Sequence, residues 1–96
     1  MSHTEKKLKV VVYYDGRVQG VGFRYSVCHI AGNYNVAGYV KNLRDGRVEL
    51  CAEGESIHVV SFIESVENSH LKKYILASEK NWYEYTGEFK GFGLRY

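Results

Sequence analysis

The sequence predicts an α+β fold in which two helices cover one face of a β-sheet. Segments rich in valine, isoleucine and tyrosine alternate with two stretches whose apolar residues recur at helical spacing, in the order β-α-β-β-α-β. An Asp-Gly pair between the second and third strand segments is a strong hairpin signal. Because two amphipathic helices need a common surface to cover, the simplest arrangement is a two-layer α/β sandwich.

The first strand and the first helix are predicted from a change of period near Phe23. The segment from Leu8 to Tyr14 is almost continuously apolar, which is typical of a central strand. Apolar residues then recur at helical intervals, and this stripe comprises Phe23, Val27, Ile30, Ala31 and Tyr34. We expect the helix to end near Gly32, with Asn33 or Asn35 available for a left-handed cap.

The middle of the chain predicts a β-hairpin. Strand character returns from Val36 to Asn42, and the turn signal follows at Asp45-Gly46. The return strand is predicted from Arg47 to Ala52, because apolar and polar residues alternate there.

The second half of the chain predicts one helix and two or three strand segments. The helix covers about Ile57 to Glu67, with Ser56 as its expected N-cap. A turn is expected at 68–70, and the remaining strand segments are 73–79 and 89–96. The stretch 82–88 is ambiguous, since it fits either an extension of the preceding strand or an exposed ribbon.

This order of elements corresponds to a ferredoxin-like βαββαβ fold with an extra C-terminal strand and an antiparallel sheet. We expect a single domain over residues 1–96, of which 1–6 form a polar lead-in, because no linker composition interrupts the chain. The sequence contains no proline.

Composition and charge exclude several classes of protein. The formal net charge of +2 is too low to indicate a nucleic-acid-binding protein, although a local basic site for a small anion is compatible with it. No apolar run approaches the 18 or so residues of a membrane span, so we expect no membrane association. Two isolated cysteines, Cys28 and Cys51, favour a reducing compartment, and the cytoplasm is the expected location.

A glycine-rich stretch between the first strand and the first helix is the strongest candidate for a binding site. It reads Gly16-Arg17-Val18-Gln19-Gly20-Val21-Gly22-Phe23-Arg24. Its glycines allow a curled backbone whose amide N–H groups converge on an anion, and the following helix adds the positive end of its dipole. Arg24 would lie in the first helical turn, where its planar fork of donors suits a phosphate.

A simpler interpretation of this stretch is a tight strand-to-helix turn with a solvated arginine, and the loop alone does not decide between the two. Nucleotide binding is less compatible with the pattern. The loop lacks the Gly-Lys-Ser/Thr of a nucleotide P-loop, and the spacing of its glycines differs from the dinucleotide-binding fingerprint.

Two signatures together give the sequence its resemblance to the acylphosphatase family. The first is the glycine-rich stretch just quoted. The second comprises Gly38-Tyr39-Val40-Lys41-Asn42, followed by Gly46-Arg47-Val48 and Gly54. The two signatures span residues 16–54, more than a third of the chain, and the order of elements extends the resemblance to its whole length.

The resemblance implies hydrolysis of the carboxyl–phosphate mixed anhydride of acyl phosphates to a carboxylate and inorganic phosphate. It implies that Arg24 binds the phosphate and that Asn42 orients the attacking water, with no metal, no cofactor and no covalent phosphoenzyme. This chemistry is plausible for these residue types, because a carboxylate is a good leaving group and the main needs are charge neutralisation and a placed water. On turn statistics alone, Asn42 fits equally well as a polar residue before the hairpin turn.

Two other functions remain open on the sequence, and a third is disfavoured. Acylphosphatase-like domains also occur within large carbamoyl-transfer maturation proteins, where they handle carbamoyl phosphate. A module that only binds a small anion is a further alternative. The stretch 90–93 is similar to the start of an RNA-recognition signature. That signature belongs on the third strand of its fold, whereas this stretch lies in the last predicted strand, so we expect no nucleic-acid partner. The scattered histidines do not suggest a zinc site, and a monomer is expected.

Overall fold

The computed structural model describes residues 6–96, so the start of the predicted lead-in, residues 1–5, lies outside the described residues. The elements, in chain order, are β1 (Lys7–Gly16), α1 (Phe23–Ala31), β2 (Ala37–Asn42), β3 (Val48–Glu55), α2 (Ser56–Glu67), a 3-10 helix (His70–Tyr74), β4 (Ile75–Glu84) and β5 (Phe92–Arg95). This order confirms the predicted ferredoxin-like α+β fold with an extra C-terminal strand. None of the helices within these residues has the length and apolar character needed to cross a membrane.

The five strands form one sheet in the order β4-β1-β3-β2-β5. The pairs β1–β3, β1–β4 and β2–β3 are antiparallel, as predicted, whereas β2 and β5 are parallel. The antiparallel expectation is therefore wrong for this last pair. The reason is topological. β4 and β5 lie at opposite edges of the sheet, and the connecting segment 85–91 crosses the sheet at the end where β2 begins. β5 therefore starts at the same end as β2 and runs in the same direction.

The core lies between one face of the sheet and the two helices. Alternate residues of the central strands point toward the helices and are fully buried, as the two-residue period of a strand requires; they include Val10, Val12, Tyr14, Val48, Leu50 and Ala52. The helices contribute residues at i, i+3, i+4 and i+7 spacing, including Phe23, Val27, Val59, Phe62, Ile63 and Val66. The two-layer arrangement thus follows from the pattern of apolar residues.

Both predicted helix caps are wrong. No non-glycine residue within 6–96 has a positive φ, so neither Asn33 nor Asn35 forms a left-handed cap. Instead, right-handed turns continue past Ala31, and the N–H of Asn33 donates to the carbonyl of Ile30. Ser56 is the first residue of α2 rather than its cap, because pairing with β1 extends β3 as far as Glu55.

The turn predicted at 68–70 is present at Asn68 and Ser69, and a short 3-10 helix follows from His70. Ser69 caps this helix, since its Oγ accepts a hydrogen bond from the N–H of Leu71 at 3.1 Å. The ambiguous stretch 82–88 divides in two: β4 continues to Glu84, and the rest belongs to the crossing segment. The last strand is shorter than predicted and begins at Phe92.

A buried carboxylate, Glu53, holds the crossing segment against the face of the sheet that lacks helices. Its side chain is 1% exposed and accepts hydrogen bonds from the N–H and hydroxyl of Thr86 and from the N–H groups of Gly87 and Phe89, at 3.0 to 3.4 Å. Burial alone would raise the pKa of Glu53, but these hydrogen bonds outweigh it and the pKa is lowered. The carboxylate therefore binds the segment in its charged form.

We expect Glu53→Ala to lower the free energy of unfolding by about 2–4 kcal/mol, because several donors lose their acceptor in a buried place. The exposed Glu88, whose carboxylate pairs with Lys9, provides the control, and Glu88→Ala is expected to cost about 1 kcal/mol or less. Denaturant unfolding monitored by tryptophan fluorescence measures both. Equal losses in the two variants would contradict an anchoring role for Glu53.

The lowered pKa also sets a pH dependence. A carboxyl group whose pKa is lower in the folded state contributes stability above the unfolded value of about 4.3, and this contribution is lost as the pH falls through the folded value. Unfolding of the native chain should therefore become easier below about pH 4. Glu53→Gln should show a smaller loss over the same range.

Candidate active site

The loop between β1 and α1 is fixed to the rest of the molecule at three points. The N–H of Arg17 donates to the carbonyl of Tyr74 at 3.0 Å. The side chain of Val18 is fully buried in the core, and the side chain of Gln19 is hydrogen-bonded to the β2–β3 hairpin. The glycine-rich stretch is therefore a loop held in one shape.

Beyond Gln19 the backbone turns through two left-handed glycines. Gly20 and Gly22 have φ values of 79° and 76°, a conformation that residues with side chains rarely adopt. Gly22 is also the N-cap of α1, where it provides no side-chain cap. Within residues 6–96, the backbone N–H groups from Gly20 to Tyr25 donate no hydrogen bond, so they are available to an anion.

The structure brings Arg24 and Asn42 to the same small cavity, of about 110 Å³. Its lining residues are Val18, Gly20, Gly22, Phe23, Arg24, Tyr25 and Asn42. The other residues of the predicted loop lie outside this lining. Gly16 ends β1, Arg17 is exposed, Gln19 reaches the hairpin and Val21 packs against the core. The two predicted catalytic side chains therefore share one cavity, with part of the loop as its wall.

Arg24 is held by the C-terminal strand. Its Nη1 donates to the carbonyl oxygen of Arg95 at 2.9 Å, and its guanidinium lies 5.2 Å from the centre of the Tyr96 ring. A guanidinium has five N–H donors, so this hydrogen bond leaves most of them for a ligand. Sequence reasoning missed this support, because a backbone carbonyl has no residue-type signal.

Asn42 is the last residue of β2 and pairs with Val48 of β3. Its Oδ1 is buried and has no hydrogen-bond partner, the one such side-chain atom found in residues 6–96. Leaving a buried acceptor unpaired costs about 1–3 kcal/mol, so this oxygen does not stabilise the fold.

The titratable groups near the site do not offer an obvious nucleophile or base. Burial raises the pKa of the Cys28 thiol, and the nearby Arg24 only partly offsets this effect. The thiol of Cys51 is on the other face of the sheet, where burial raises its pKa to about 11. No Asp, Glu or His is among the described residues that line the cavity. The part of the chain that the structure describes also contains no group of three or more His, Cys, Asp or Glu residues placed to hold a metal.

Fold and site together define a class: an α+β sandwich with a small cavity between a glycine-rich loop and a hairpin. The comparisons with known proteins specify the family. A family model described as Acylphosphatase matches residues 10–94, and the chain therefore belongs to the acylphosphatase family. Membership of this family implies hydrolysis of acyl phosphates.

Individual relatives agree with this assignment. An acylphosphatase of Caldanaerobacter subterraneus subsp. tengcongensis is 39% identical over 79 residues, which cover 82% of this chain and 88% of that protein. The crystal structure of acylphosphatase from Bacillus subtilis superposes with a TM-score of 0.84 at 38% identity, covering 93% of this chain and 99% of that one.

A larger protein contains a similar region. The crystal structure of full-length HypF in the phosphate- and nucleotide-bound form matches with a TM-score of 0.81 at 26% identity. The match covers 99% of this chain but only 12% of that chain. The same fold therefore occurs both as a chain of this size and as a small part of a longer protein.

Proposed function

We propose that the protein hydrolyses the carboxyl–phosphate anhydride of acyl phosphates, with Arg24 and the loop amides binding the phosphoryl group and Asn42 orienting the attacking water. The observation that supports this assignment is the shared cavity, which is lined by Arg24, by residues with unpaired backbone N–H groups and by Asn42. None of the three features alone distinguishes catalysis from simple anion binding. Their combination suits a transferring phosphoryl group with a water beside it.

The phosphoryl group would be bound through the N–H groups of the loop, from Gly20 onward, and through the guanidinium of Arg24. Charge in the transition state is spread over the three equatorial oxygens of the phosphoryl group. Donors that are already fixed around those oxygens stabilise the transition state without reorganisation at the moment of reaction. The left-handed glycines and the support from Arg95 provide this fixation.

The water would be held by Asn42. Its carboxamide would hydrogen-bond the water, whose oxygen then attacks phosphorus opposite the acyl oxygen. The new P–O bond forms as the bond between phosphorus and the acyl oxygen breaks, and the electron pair leaves with the carboxylate. The released proton remains on the inorganic phosphate or passes to solvent.

Acid–base groups are not needed at this site, because the leaving carboxylate needs little protonation and the transition state is loose. A guanidinium and a carboxamide also keep the same protonation state across the working range of most enzymes. This explains why a cavity lined by neither carboxylates nor histidines suits the reaction.

The experiment that tests this function is phosphate release from benzoyl phosphate and acetyl phosphate by the purified protein, before and after exhaustive chelation. We expect turnover that is unchanged by chelation, because the groups proposed to bind the phosphate are N–H donors. Phosphate binding without hydrolysis would instead identify a non-catalytic anion-binding module. A requirement for added divalent metal would contradict the mechanism.

Carbamoyl phosphate is the second candidate substrate, since the resemblance found in the sequence extends to acylphosphatase-like domains that handle it. It contains the same type of carbonyl–phosphate bond, so the proposed groups can act on it without change. The ratio of kcat/KM for carbamoyl phosphate and acetyl phosphate would rank the two. A strong preference for carbamoyl phosphate would identify it as the substrate of this site.

We further propose that the protein acts as a monomer in the cytoplasm. All the groups assigned to the reaction belong to one chain, and Cys28 and Cys51 are both free thiols, as in proteins of reducing compartments. Light scattering of the purified protein tests the oligomeric state.

A further inference from the structure

We propose that Gln19 is a positioning residue: its side-chain amide clamps the phosphate-binding loop to the hairpin and so sets the position of Asn42 relative to that loop. This inference rests on the proposed function and adds a role that the loop signature does not specify. Gln19 lies in the glycine-rich stretch, where a polar side chain would be expected to face the phosphate.

The hydrogen bonds of Gln19 direct its side chain away from the phosphate. Its Nε2 donates to the carbonyl of Leu43 at 2.8 Å and to the carbonyl of Arg47 at 2.9 Å. An amide NH₂ group has two hydrogens, so both are used and none remains for a ligand. Gln19 is also absent from the lining of the cavity.

The two acceptors are next to Asn42 on both strands of the hairpin. Leu43 directly follows Asn42, and Arg47 directly precedes Val48, the residue paired with Asn42 across the strands. The clamp therefore holds the residue after Asn42 and the residue before its cross-strand partner. A shift of the hairpin relative to the loop would move the Asn42 carboxamide relative to the bound phosphoryl group.

The hairpin does not depend on Gln19 for its own structure. The carbonyl of Arg47 also accepts from the N–H of Leu43 at 2.8 Å, and the carbonyl of Leu43 accepts from the N–H of Gly46 at 3.2 Å. The loop likewise stays attached through Val18, which is fully buried. Removing the clamp should thus leave both parts folded and change only how they are placed against each other.

The test uses two substitutions. Gln19→Met keeps the length of the side chain and removes both donors. Gln19→Glu keeps the shape but directs a carboxylate toward two carbonyl oxygens. We expect kcat for benzoyl phosphate to fall about 10- to 100-fold in both, as for other small displacements of catalytic groups. Competitive inhibition by inorganic phosphate should stay within about threefold of wild type, because Arg24 and the loop amides are unchanged.

A readout independent of activity is the pair of side-chain amide NMR signals of Asn42. We expect these signals to move in Gln19→Met while the thermal midpoint remains close to wild type. Unchanged kcat and unchanged Asn42 signals in Gln19→Met would overturn the inference, as would parallel losses of kcat and phosphate affinity. If the wild-type protein fails to hydrolyse acyl phosphates, the proposed function is wrong, and the NMR signals alone decide whether Gln19 positions Asn42.

Discussion

Replacing Arg24 by alanine is expected to lower kcat/KM for benzoyl phosphate by at least about a hundredfold and to weaken inhibition by inorganic phosphate. Loss of one preorganised oxyanion donor typically costs about 10²–10³ in rate, and Arg24 contributes several donors and a full charge to a small cavity. Steady-state kinetics with phosphate as a competitive inhibitor measure both effects. The fold should persist, because the Arg24 side chain is only partly buried and is not part of the core cluster.

Two further variants separate the fork of donors from its charge. Arg24→Lys keeps the charge but loses the planar fork, so we expect an activity between those of wild type and Arg24→Ala. Arg44→Ala removes the same charge from the exposed hairpin turn and should change kcat/KM by no more than about threefold. If Arg44→Ala were as damaging as Arg24→Ala, the positive field would matter more than local contacts. Normal turnover by Arg24→Ala would refute the assignment of the site.

Replacing Asn42 by alanine is expected to reduce kcat strongly, by about a hundredfold or more, while inhibition by inorganic phosphate changes little. The reason is a division of roles, since the water is held by the carboxamide whereas the phosphoryl group is bound by Arg24 and the loop. Kinetics with benzoyl phosphate, together with phosphate inhibition, give the two quantities. Equal losses of turnover and phosphate affinity would argue against a water-orienting role.

The stability of Asn42→Ala is an independent check. The substitution removes a buried oxygen that has no partner in the described part of the chain, so the free energy of unfolding should stay the same or rise by about 1 kcal/mol. A variant that is inactive and at least as stable as wild type would identify Asn42 as a residue retained for function. A clear loss of stability would instead favour the interpretation of Asn42 as a turn residue.

The features predicted correctly from the sequence are those with a local chemical signal. The period of apolar residues identified both helices and the central strands, and Asp45-Gly46 identified the hairpin turn, where Gly46 adopts a φ of 98°. The glycines and arginine of the loop likewise predicted a region with unpaired amides next to a cation, which the structure contains.

The features that were missed depend on polar contacts between distant parts of the chain. The crossing segment is held by Glu53, more than 30 residues earlier in the sequence, and Arg24 is held by the carbonyl of Arg95. Gln19 is bonded to carbonyls as well. Contacts to backbone N–H and C=O groups leave no period or residue-type pattern, so the parallel β5 strand and the contacts of Gln19 become visible only in three dimensions.

The position of β1 between β3 and β4 has a consequence for how the chain reaches its native state. The pairing of β1 with β4 joins Leu8 to Glu84, so the sheet is complete only after most of the polypeptide has been drawn into one closed loop. The entropy lost in such closures opposes the long-range pairing, so we expect the protein to fold more slowly than helical proteins of similar size. Since the sequence has no proline, we expect no slow folding phase from prolyl isomerisation.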